Sequence, residues 1–293
     1  MKVIIYGYIA KDKDMEVIRT VFNQLKKRKH TIFVYAPYLG QLKAKKFNIK
    51  GFIPIKTHAE LLANSPDFLF SLGGDGTMLK AVTLIRDSGI PMLGINLGRL
   101  GFLATIEKKF AAMAIEQVER GMYTKDFRNL LYLESTNGLF GNMPFALNDF
   151  TLLKRDTSAM VVIHAFINGD FLNSYWADGI ILATSTGSTA YSLSCGGPII
   201  FPNSGNFVLT PVAPHNLNVR PIVISDESVV SFEIEGRSES FLATMDSRHE
   251  TIDSTVNLAI RKCDFKIQLL QLHDMTFLKT IQDKLAWGAD TRN

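Results

Sequence analysis

The sequence predicts an α/β protein with two domains: an N-terminal doubly wound parallel-sheet domain and a mostly antiparallel, β-rich C-terminal domain. Up to Gly121, short apolar runs alternate with helical patterns, an order typical of a parallel sheet covered by helices on both faces. Beyond Gly121, strand-length patterns follow one another with turn signals between them, which favours antiparallel pairing. A chain of 293 residues with 46% apolar side chains is long enough to bury two such cores.

The elements of the first domain, placed over 1–123, are predicted from hydrophobic periodicity. Strands are expected at 3–8, 31–35, 52–55, 68–72 and 91–96, and helices at 15–28, 78–86 and 110–120. The first helix has the clearest apolar face, formed by Val17, Ile18, Val21, Phe22 and Leu25.

The second domain is predicted over 124–275. Its strands are expected at 129–134, 150–154, 160–167, 171–176, 180–182, 229–235, 240–245 and 265–270. Asn137-Gly138 and Asn168-Gly169 are hairpin signals, because these residue types accept the positive φ of tight turns. A C-terminal helix within 276–293 is expected to pack back on the first domain.

Composition argues against several classes of protein. The formal net charge is only +4 and the basic residues are spread along the chain, which argues against a dedicated nucleic-acid binder. Two cysteines are too few for a disulfide framework, and the first apolar run is too short for a signal peptide. We therefore expect a cytoplasmic protein.

The segment from Gly179 to Val219 contains no Asp, Glu, Lys or Arg. Prolines and hydroxyl side chains interrupt it, so no apolar run approaches the roughly 20 residues that a membrane-spanning helix needs. We therefore expect no membrane span. Two interpretations remain open: a buried connection, or a ligand pocket built from backbone amides and hydroxyls.

The strongest local signal is Gly73-Gly74-Asp75-Gly76-Thr77, which lies between a predicted strand and a predicted helix. Glycines let the backbone approach a phosphate closely, and a helix N-terminus directs amide groups at an anion. Asp75 is unusual there, because a carboxylate repels phosphate unless it holds a metal, accepts a proton or binds a hydroxyl. The alternative is an Asx-type turn in which Asp75 caps the helix.

A second glycine cluster, Asn96-Leu97-Gly98-Arg99-Leu100-Gly101-Phe102, also follows a predicted strand, the one at 91–96. Neighbouring parallel strands end at the same edge of a sheet, so the two glycine loops are expected side by side. Arg99 could reach a phosphate or stay solvated, and Phe102 could stack on a base or fill the core.

A third signal lies at 183–198, where small and hydroxyl side chains follow Asp178 and a predicted strand. Hydroxyl groups can donate to ribose, amide or phosphate oxygens without bringing any charge. Beside two glycine loops, this pattern favours a binding segment over an ordinary turn.

Together these motifs resemble those of the NAD kinases. The resemblance rests on the glycine loop at 73–77, on Asn148-Asp149, on 178–198, on His215 with 220–223, and on 285–288 with 292–293. The glycine motif is shared with diacylglycerol, sphingosine and phosphofructo kinases, whereas the serine and threonine segment is much more specific. Many bacterial members carry Asn-Glu where this chain has Asn148-Asp149, whose carboxylate stands on a stem one methylene shorter.

The resemblance implies transfer of the terminal phosphoryl group of ATP, or of polyphosphate, to the 2′-hydroxyl of the adenosine ribose of NAD, which gives NADP. Asp75 would activate that hydroxyl. The donor phosphates would contact Gly73, Gly74, Gly76, Thr77 and Arg99. The NAD-binding residues would be Asp75, Gly76, Phe102, Asn148, Asp149, Asp178, Thr189, Ala190, Tyr191 and Ser194.

The resemblance also implies a homo-oligomer, either a dimer or a tetramer. Lys80 and Arg99 are the only cations close in sequence to the glycine loops, and the histidines form no spaced metal-binding cluster. We therefore expect Mg²⁺ or Mn²⁺ to arrive bound to ATP. Two alternatives are a lipid or sugar-phosphate kinase, which has no reason to carry the 184–198 segment, and a non-catalytic NAD(P) sensor, which gains nothing from Asp75 beside phosphate.

Overall fold

The computed structural model describes residues 1–8, 10–155, 161–236, 240–272 and 275–288. The chain divides into two compact units: unit 1 comprises Met1–Phe127 and Ile267–Asn293, and unit 2 comprises Arg128–Lys266. Met160, Arg292 and Asn293, which belong to segments singled out in the sequence, lie outside the described residues.

The strands, in chain order, are β1 (Lys2–Gly7), β2 (Thr31–Tyr35), β3 (Ile53–Ile55), β4 (Phe68–Gly73), β5 (Met92–Asn96), β6 (Ile106–Glu107), β7 (Tyr123–Arg128), β8 (Leu131–Ser135), β9 (Phe145–Ala146), β10 (Asp149–Lys154), β11 (Val161–Ile167), β12 (Asp170–Ala177), β13 (Gly179–Thr184), β14 (Asn206–Val212), β15 (Ile222–Ser225), β16 (Val230–Gly236), β17 (Phe241–Met245), β18 (Arg248–Ile252), β19 (Leu258–Lys262) and β20 (Ile267–Leu272). The α-helices are α1 (Met15–Lys27), α2 (Ala36–Ala44), α3 (His58–Asn64), α4 (Asp75–Ile85), α5 (Ala111–Glu119), α6 (Tyr191–Ser194) and α7 (Phe277–Leu285).

The sheet of unit 1 has the strand order β3-β2-β1-β4-β5-β20-β7, with β6 paired to β5. β1 runs parallel to both β2 and β4, and β4 runs parallel to β5. β2 and β3 lie on one side of β1, whereas β4 and β5 lie on its other side. The topological switch point, where open α/β sheets bind ligands, therefore lies at the carboxyl ends of β1 and β4.

Helices bury the central strands of unit 1. One core cluster joins Phe70 of β4 to Phe22 of α1 and Ile115 of α5. The apolar face predicted for α1 is the buried face, and Val17 at its margin is partly buried. The prediction of a parallel-sheet domain is confirmed.

Several elements of unit 1 differ from the sequence prediction, among them β6 and β7, which were not predicted. α2 and α3 were not predicted, because they are short and each buries only one or two side chains. α4 begins at Asp75, with Gly74 as the N-cap, and therefore includes glycine-motif residues that were predicted to precede the helix.

β20 was predicted at 265–270 within the second domain, but the structure groups it with unit 1. It runs parallel to β5, with Leu269 opposite Met92, and its residues Leu270 and Leu272 join the core of unit 1. Periodicity identifies a strand, but the sheet to which that strand belongs is decided by contacts distant in sequence.

Unit 2 consists of two six-stranded antiparallel sheets with the orders β15-β14-β13-β10-β17-β18 and β12-β11-β16-β19-β8-β9. Their inward faces share one core, in which the rings of Phe150 and Phe232, one from each sheet, stack with centroids 6.1 Å apart. The prediction of a mostly antiparallel β-rich domain is confirmed. Among the described residues, no helix is long and apolar enough to cross a membrane.

Candidate functional site

A cavity of about 240 Å³ lies at the switch point of the unit 1 sheet. It is lined by residues that end or follow three neighbouring strands, β1, β4 and β5. They are Tyr8, Lys11, Lys13, Asp14, Leu72, Gly73, Gly74, Thr77, Asn96, Leu97, Gly98 and Arg99. The two glycine loops therefore lie side by side, as their positions after neighbouring strands predict.

Lys11 and Lys13 bring positive charge to this cavity from the connection after β1. Sequence reasoning missed both, because they lie far along the chain from the glycine motif and become neighbours only through the β1–β4 pairing, which sets Gly7 opposite Leu72. Lys80, by contrast, lies with its Nζ 3.2 Å from the ring centroid of Tyr8.

The glycines of the motif have different structural roles. A Cβ on Gly73 would lie 2.1 Å from Thr77 Oγ1, so the Thr77 side chain requires glycine there. Among the described residues, no atom outside the adjoining chain would lie within 4 Å of a Cβ on Gly74 or Gly76. These two glycines leave open space in which an anion can approach the backbone.

Asp75 accepts three main-chain hydrogen bonds from the loop after β5. Its Oδ2 accepts from the N–H of Phe102 at 2.8 Å, and its Oδ1 accepts from Leu103 at 3.0 Å and Ala104 at 2.9 Å. The carboxylate therefore binds a neighbouring loop, and Gly74 caps α4 without a side-chain hydrogen bond. A carboxylate offers about four lone-pair positions, which leaves one on Oδ2 for a further donor.

Asn96 organises the same loop and was not a candidate from sequence. Its Nδ2 donates to the carbonyl oxygens of Arg99 at 2.6 Å and Ala104 at 3.3 Å, while its Oδ1 accepts from Gly98 N–H at 2.6 Å. The side chain is 2% exposed, so these bonds are shielded from water. Asn96 thereby fixes the turn that carries Arg99 to the cavity.

Phe102 packs against α7 within unit 1. Its ring centroid is 6.3 Å from that of Phe277, and Lys284 Nζ is 5.1 Å from the Phe102 centroid. Lys284 also donates to the Leu100 carbonyl at 2.8 Å, which holds the helix to the second glycine loop.

In unit 2, Asn148 and Asp149 lie at the start of β10. The Asn148 carbonyl accepts from Thr184 N–H at 2.8 Å, and a Cβ on Gly187 would lie 2.0 Å from that oxygen. Asn148 Oδ1 is buried, and nothing in the described part of the chain donates to it. A buried acceptor without a partner is costly, and it marks a position where a ligand donor fits.

Asp149 is 6% exposed. Burial, together with the nearby charge of Asp246, raises the pKa of Asp149 to about 7. This carboxyl group therefore changes its protonation state near neutral pH, which is typical of functional sites.

Two kinds of side chain make up the 183–198 segment. The buried hydroxyls hold the loop together: Thr184 Oγ1 donates to the Leu147 carbonyl at 2.6 Å, and Ser188 Oγ donates to the Ser185 carbonyl at 2.7 Å. The residues predicted to bind NAD, namely Thr189, Ala190, Tyr191 and Ser194, are partly or fully exposed. The segment is thus a rigid loop with an accessible outer side.

The charges of both acidic candidates of unit 2 act on Tyr191. Burial is the main cause that raises the pKa of its phenol, and Cys195, Asp149 and Asp178 add to it. Asp178 in turn is paired with Lys154, whose Nζ lies 2.6 Å from Asp178 Oδ1. Asp149 and Asp178 thus stand at opposite ends of β10, because Asp149 pairs with Ala183 and the Asp178 carbonyl accepts from Lys154 N–H at 2.9 Å.

Comparison with known proteins shows the family to which the chain belongs. The ATP-NAD kinase N-terminal domain model matches residues 4–123, and the C-terminal domain model matches residues 147–272. The chain is 43% identical to an NAD kinase of Cytophaga hutchinsonii, with 99% of each chain covered, and 42% identical to one of Bacteroides fragilis, with 100% of each covered.

Two solved structures share the fold. The crystal structure of yeast NADH kinase complexed with NADH has a TM-score of 0.87 at 23% identity and covers 100% of this chain and 89% of that chain. An NAD kinase from Archaeoglobus fulgidus in complex with ATP has a TM-score of 0.74 at 23% identity and covers 98% and 100%. The family models and the full-length relatives show that the chain belongs to the ATP-NAD kinase family of phosphotransferases.

Proposed function

We propose that the cavity of unit 1 holds the phosphoryl donor of this NAD kinase and that the Asn148–Asp149 region of unit 2 holds NAD. The reaction moves the terminal phosphoryl group of ATP to the 2′-hydroxyl of the adenosine ribose and yields NADP. The observation that carries the proposal is the cavity at the switch point, where three cationic side chains meet the glycine motif.

Charge neutralisation supports the donor assignment. Lys11, Lys13 and Arg99 line the cavity, and the first turn of α4 adds N–H groups and the positive end of the helix dipole. In the described part of the chain, no group of three or more His, Cys, Asp or Glu side chains could hold a metal ion. We propose that a divalent ion enters as part of the ATP complex, bound by phosphate oxygens and water.

The acceptor hydroxyl needs a group that takes its proton. As the 2′-oxygen bonds to the γ-phosphorus, the bond from phosphorus to the bridging oxygen of ADP breaks and the hydroxyl proton must leave. Asp75 is suited to accept it, because one lone-pair position of Oδ2 remains when the three loop N–H groups are bound. Asn148 Oδ1 and the Asp149 carboxylate are acceptors suited to ribose hydroxyls.

The proposal also covers further residues of the NAD site, the oligomeric state and the location in the cell. We include Asp178, Thr189, Ala190, Tyr191 and Ser194 in the NAD site, and we propose a homo-oligomer, a dimer or a tetramer, in the cytoplasm. Light scattering at micromolar protein concentration measures the oligomeric mass, and a monomer mass would contradict the oligomer.

The direct test is an assay of purified chain with NAD, ATP and Mg²⁺, in which NADP is detected by an NADP-specific dehydrogenase. We expect NADP that depends on all three additions, and parallel reactions with polyphosphate identify the donor range. Phosphorylation of a diacylglycerol or a sugar phosphate, with no NADP, would favour the lipid or sugar kinase. NAD binding by calorimetry without turnover would favour the sensor.

A further inference from the structure

We propose that Asp246 is a positioning residue of the NAD site, which acts by holding the backbone of 147–149 and by standing beside the carboxylate of Asp149. The inference rests on the proposed function, in which Asn148 and Asp149 contact NAD. Neither the sequence motifs nor the reaction itself drew attention to Asp246, which lies 98 residues from Asn148 along the chain.

The contacts of Asp246 are directed almost entirely at this segment. Its Oδ2 accepts from Leu147 N–H at 2.9 Å, and its Oδ1 accepts from Asn148 N–H at 2.8 Å and from Asp149 N–H at 3.3 Å. Its own N–H donates to the Asp149 carbonyl at 3.0 Å. One residue thus satisfies the backbone of three consecutive residues, two of which are candidate ligand contacts.

The hairpin between β17 and β18 presents Asp246 in this position. Asp246 has a φ of +53°, in the left-handed region that favours glycine and asparagine. Two residues later, the Arg248 guanidinium donates to the carbonyl oxygens of Met143 and Phe145. The side chains of the hairpin tip therefore bind main-chain groups of the residues that lead into β10. They leave the Asn148 side chain available to a ligand.

The 147–149 segment is restrained from the other side as well. Thr184 donates to the carbonyl oxygens of Leu147 and Asn148, and Gly187 leaves no room for a Cβ against Asn148. Because its main chain is held on both sides, the segment fixes the position from which the Asn148 side chain extends. Such restraint by supporting residues is what a binding site requires.

Burial disfavours the charged form of the aspartate at this turn, as the direction of its pKa shift indicates. Burial raises the pKa of Asp246, the three N–H groups and Arg248 oppose that effect, and Asp246 also raises the pKa of Asp149. Asparagine or glycine would suit the turn without placing a second carboxylate beside the first. A locally unfavourable choice of this kind is expected where function, rather than stability, determines the residue.

The titratable or charged groups around Asp149 come from two elements besides its own strand. They are Asp246 with Arg248 behind it on the hairpin, and the Tyr191 phenol on α6. Removal of the Asp246 charge therefore lowers the pKa of Asp149, while burial, the larger cause, remains. The pH dependence of NAD use should move in the same direction.

The test compares Asp246→Asn and Asp246→Gly, both of which accept the left-handed turn, with the wild-type enzyme. We expect KM for NAD to rise by about tenfold or more and KM for ATP to change less than about twofold. In Asp246→Asn, the inflection of kcat/KM for NAD, expected near pH 7 in the wild type, should move to lower pH. Thermal unfolding identifies any variant that fails to fold.

A matched control is Asn168→Gly, which also removes a turn side chain with a φ of +53°, one that accepts from Val229 N–H at 2.9 Å. It should leave both KM values and the pH profile unchanged. If folded Asp246 variants keep the wild-type KM for NAD and the wild-type pH profile, the inference is wrong. If Asn148→Ala also leaves KM for NAD unchanged, the proposed NAD site itself is wrong.

Discussion

The backbone of Gly101 lies directly against the carboxylate of Asp75: a Cβ on Gly101 would lie 1.9 Å from Asp75 Oδ1. Glycine is required here by the close approach of the Asp75 carboxylate, whose two oxygens accept hydrogen bonds from the N–H groups of the next three residues. The two glycine motifs are thus one structural unit, in which Asp75 fixes the second loop from the first. A variant at position 101 therefore tests Asp75 without altering it.

Gly101→Ala should move the carboxylate or the loop and break part of the three-bond set. We expect a loss of about 1–3 kcal/mol in the free energy of unfolding, typical of overpacking, and a fall in kcat of roughly 100-fold from displacement of the reacting group. Urea unfolding and steady-state kinetics measure the two effects. Unchanged kcat would show that the position of Asp75 does not matter for turnover.

Asp75→Asn removes the basicity of the side chain and also disturbs its contacts. Asn retains one accepting oxygen, so its amide group would face either Phe102 N–H or the N–H groups of Leu103 and Ala104. We expect kcat to fall by about 10² to 10⁴ and stability to fall by about 1–3 kcal/mol. A fall in kcat of less than about tenfold would mean that Asp75 is not the group that takes the proton.

Lys11→Met and Lys13→Met test the cationic side of the cavity. A lost charge-assisted contact to phosphate should raise KM for ATP by about tenfold or more, with KM for NAD nearly unchanged. Lys50→Met, at an exposed site outside the cavity, is the charge-matched control. If all three variants behave alike, the effect is one of overall charge and the cavity does not hold the donor.

The sequence predicts best the elements whose pattern is local. α1 has a clear helical period, and the glycine motif follows a short apolar strand, so both could be placed without knowledge of the fold. β14 was missed, whereas β5 and β13, which are buried along their whole length in the same way, were predicted. Phe207, Val208 and Leu209 show no alternation, and Pro211 interrupts the run, which argues against a central strand.

Site residues are hard to predict when a distant pairing brings them in. Lys11 and Lys13 reach the cavity because β1 pairs with β4, and Asp246 reaches Asn148 because β10 pairs with β17. None of the three belongs to a local motif. Asn96 belonged to a recognised motif, but its function depends on hydrogen bonds that only the folded loop contains.

Asp149 should make stability depend on pH. Its pKa is about 7 in the folded chain, far above that of an unfolded aspartate, so the folded state binds more protons between these values. Its stabilising contribution is full at acidic pH and is lost as the pH rises to about 7. The free energy of unfolding of Asp149→Asn, measured in urea without nucleotide, is compared with that of the wild type at pH 5 and at pH 8. The difference, variant minus wild type, should be larger at pH 8 by at least about 1.4 kcal/mol. An equal difference at both pH values would contradict the raised pKa.

Gly76→Ala should separate stability from activity. Gly76 lies in the first turn of α4, does not have a positive φ, and has open space where a Cβ would stand, so alanine fits the free protein. Alanine is a better helix former by about 1 kcal/mol, and the variant should unfold at a higher urea concentration. If phosphate approaches the backbone at this point, the new methyl group occupies its place and KM for ATP rises.

Alanine variants of two other glycines serve as controls for Gly76→Ala. Gly40 lies within α2, and in the described structure a Cβ there also meets no atom within 4 Å, so Gly40→Ala should gain similar stability with unchanged kinetics. Gly73→Ala should lose stability, because its Cβ would lie 2.1 Å from Thr77 Oγ1. Only Gly76→Ala is expected to unfold later and bind ATP more weakly, a combination that damage to the fold cannot produce. Wild-type KM for ATP in a stabilised Gly76→Ala would remove Gly76 from the phosphate site.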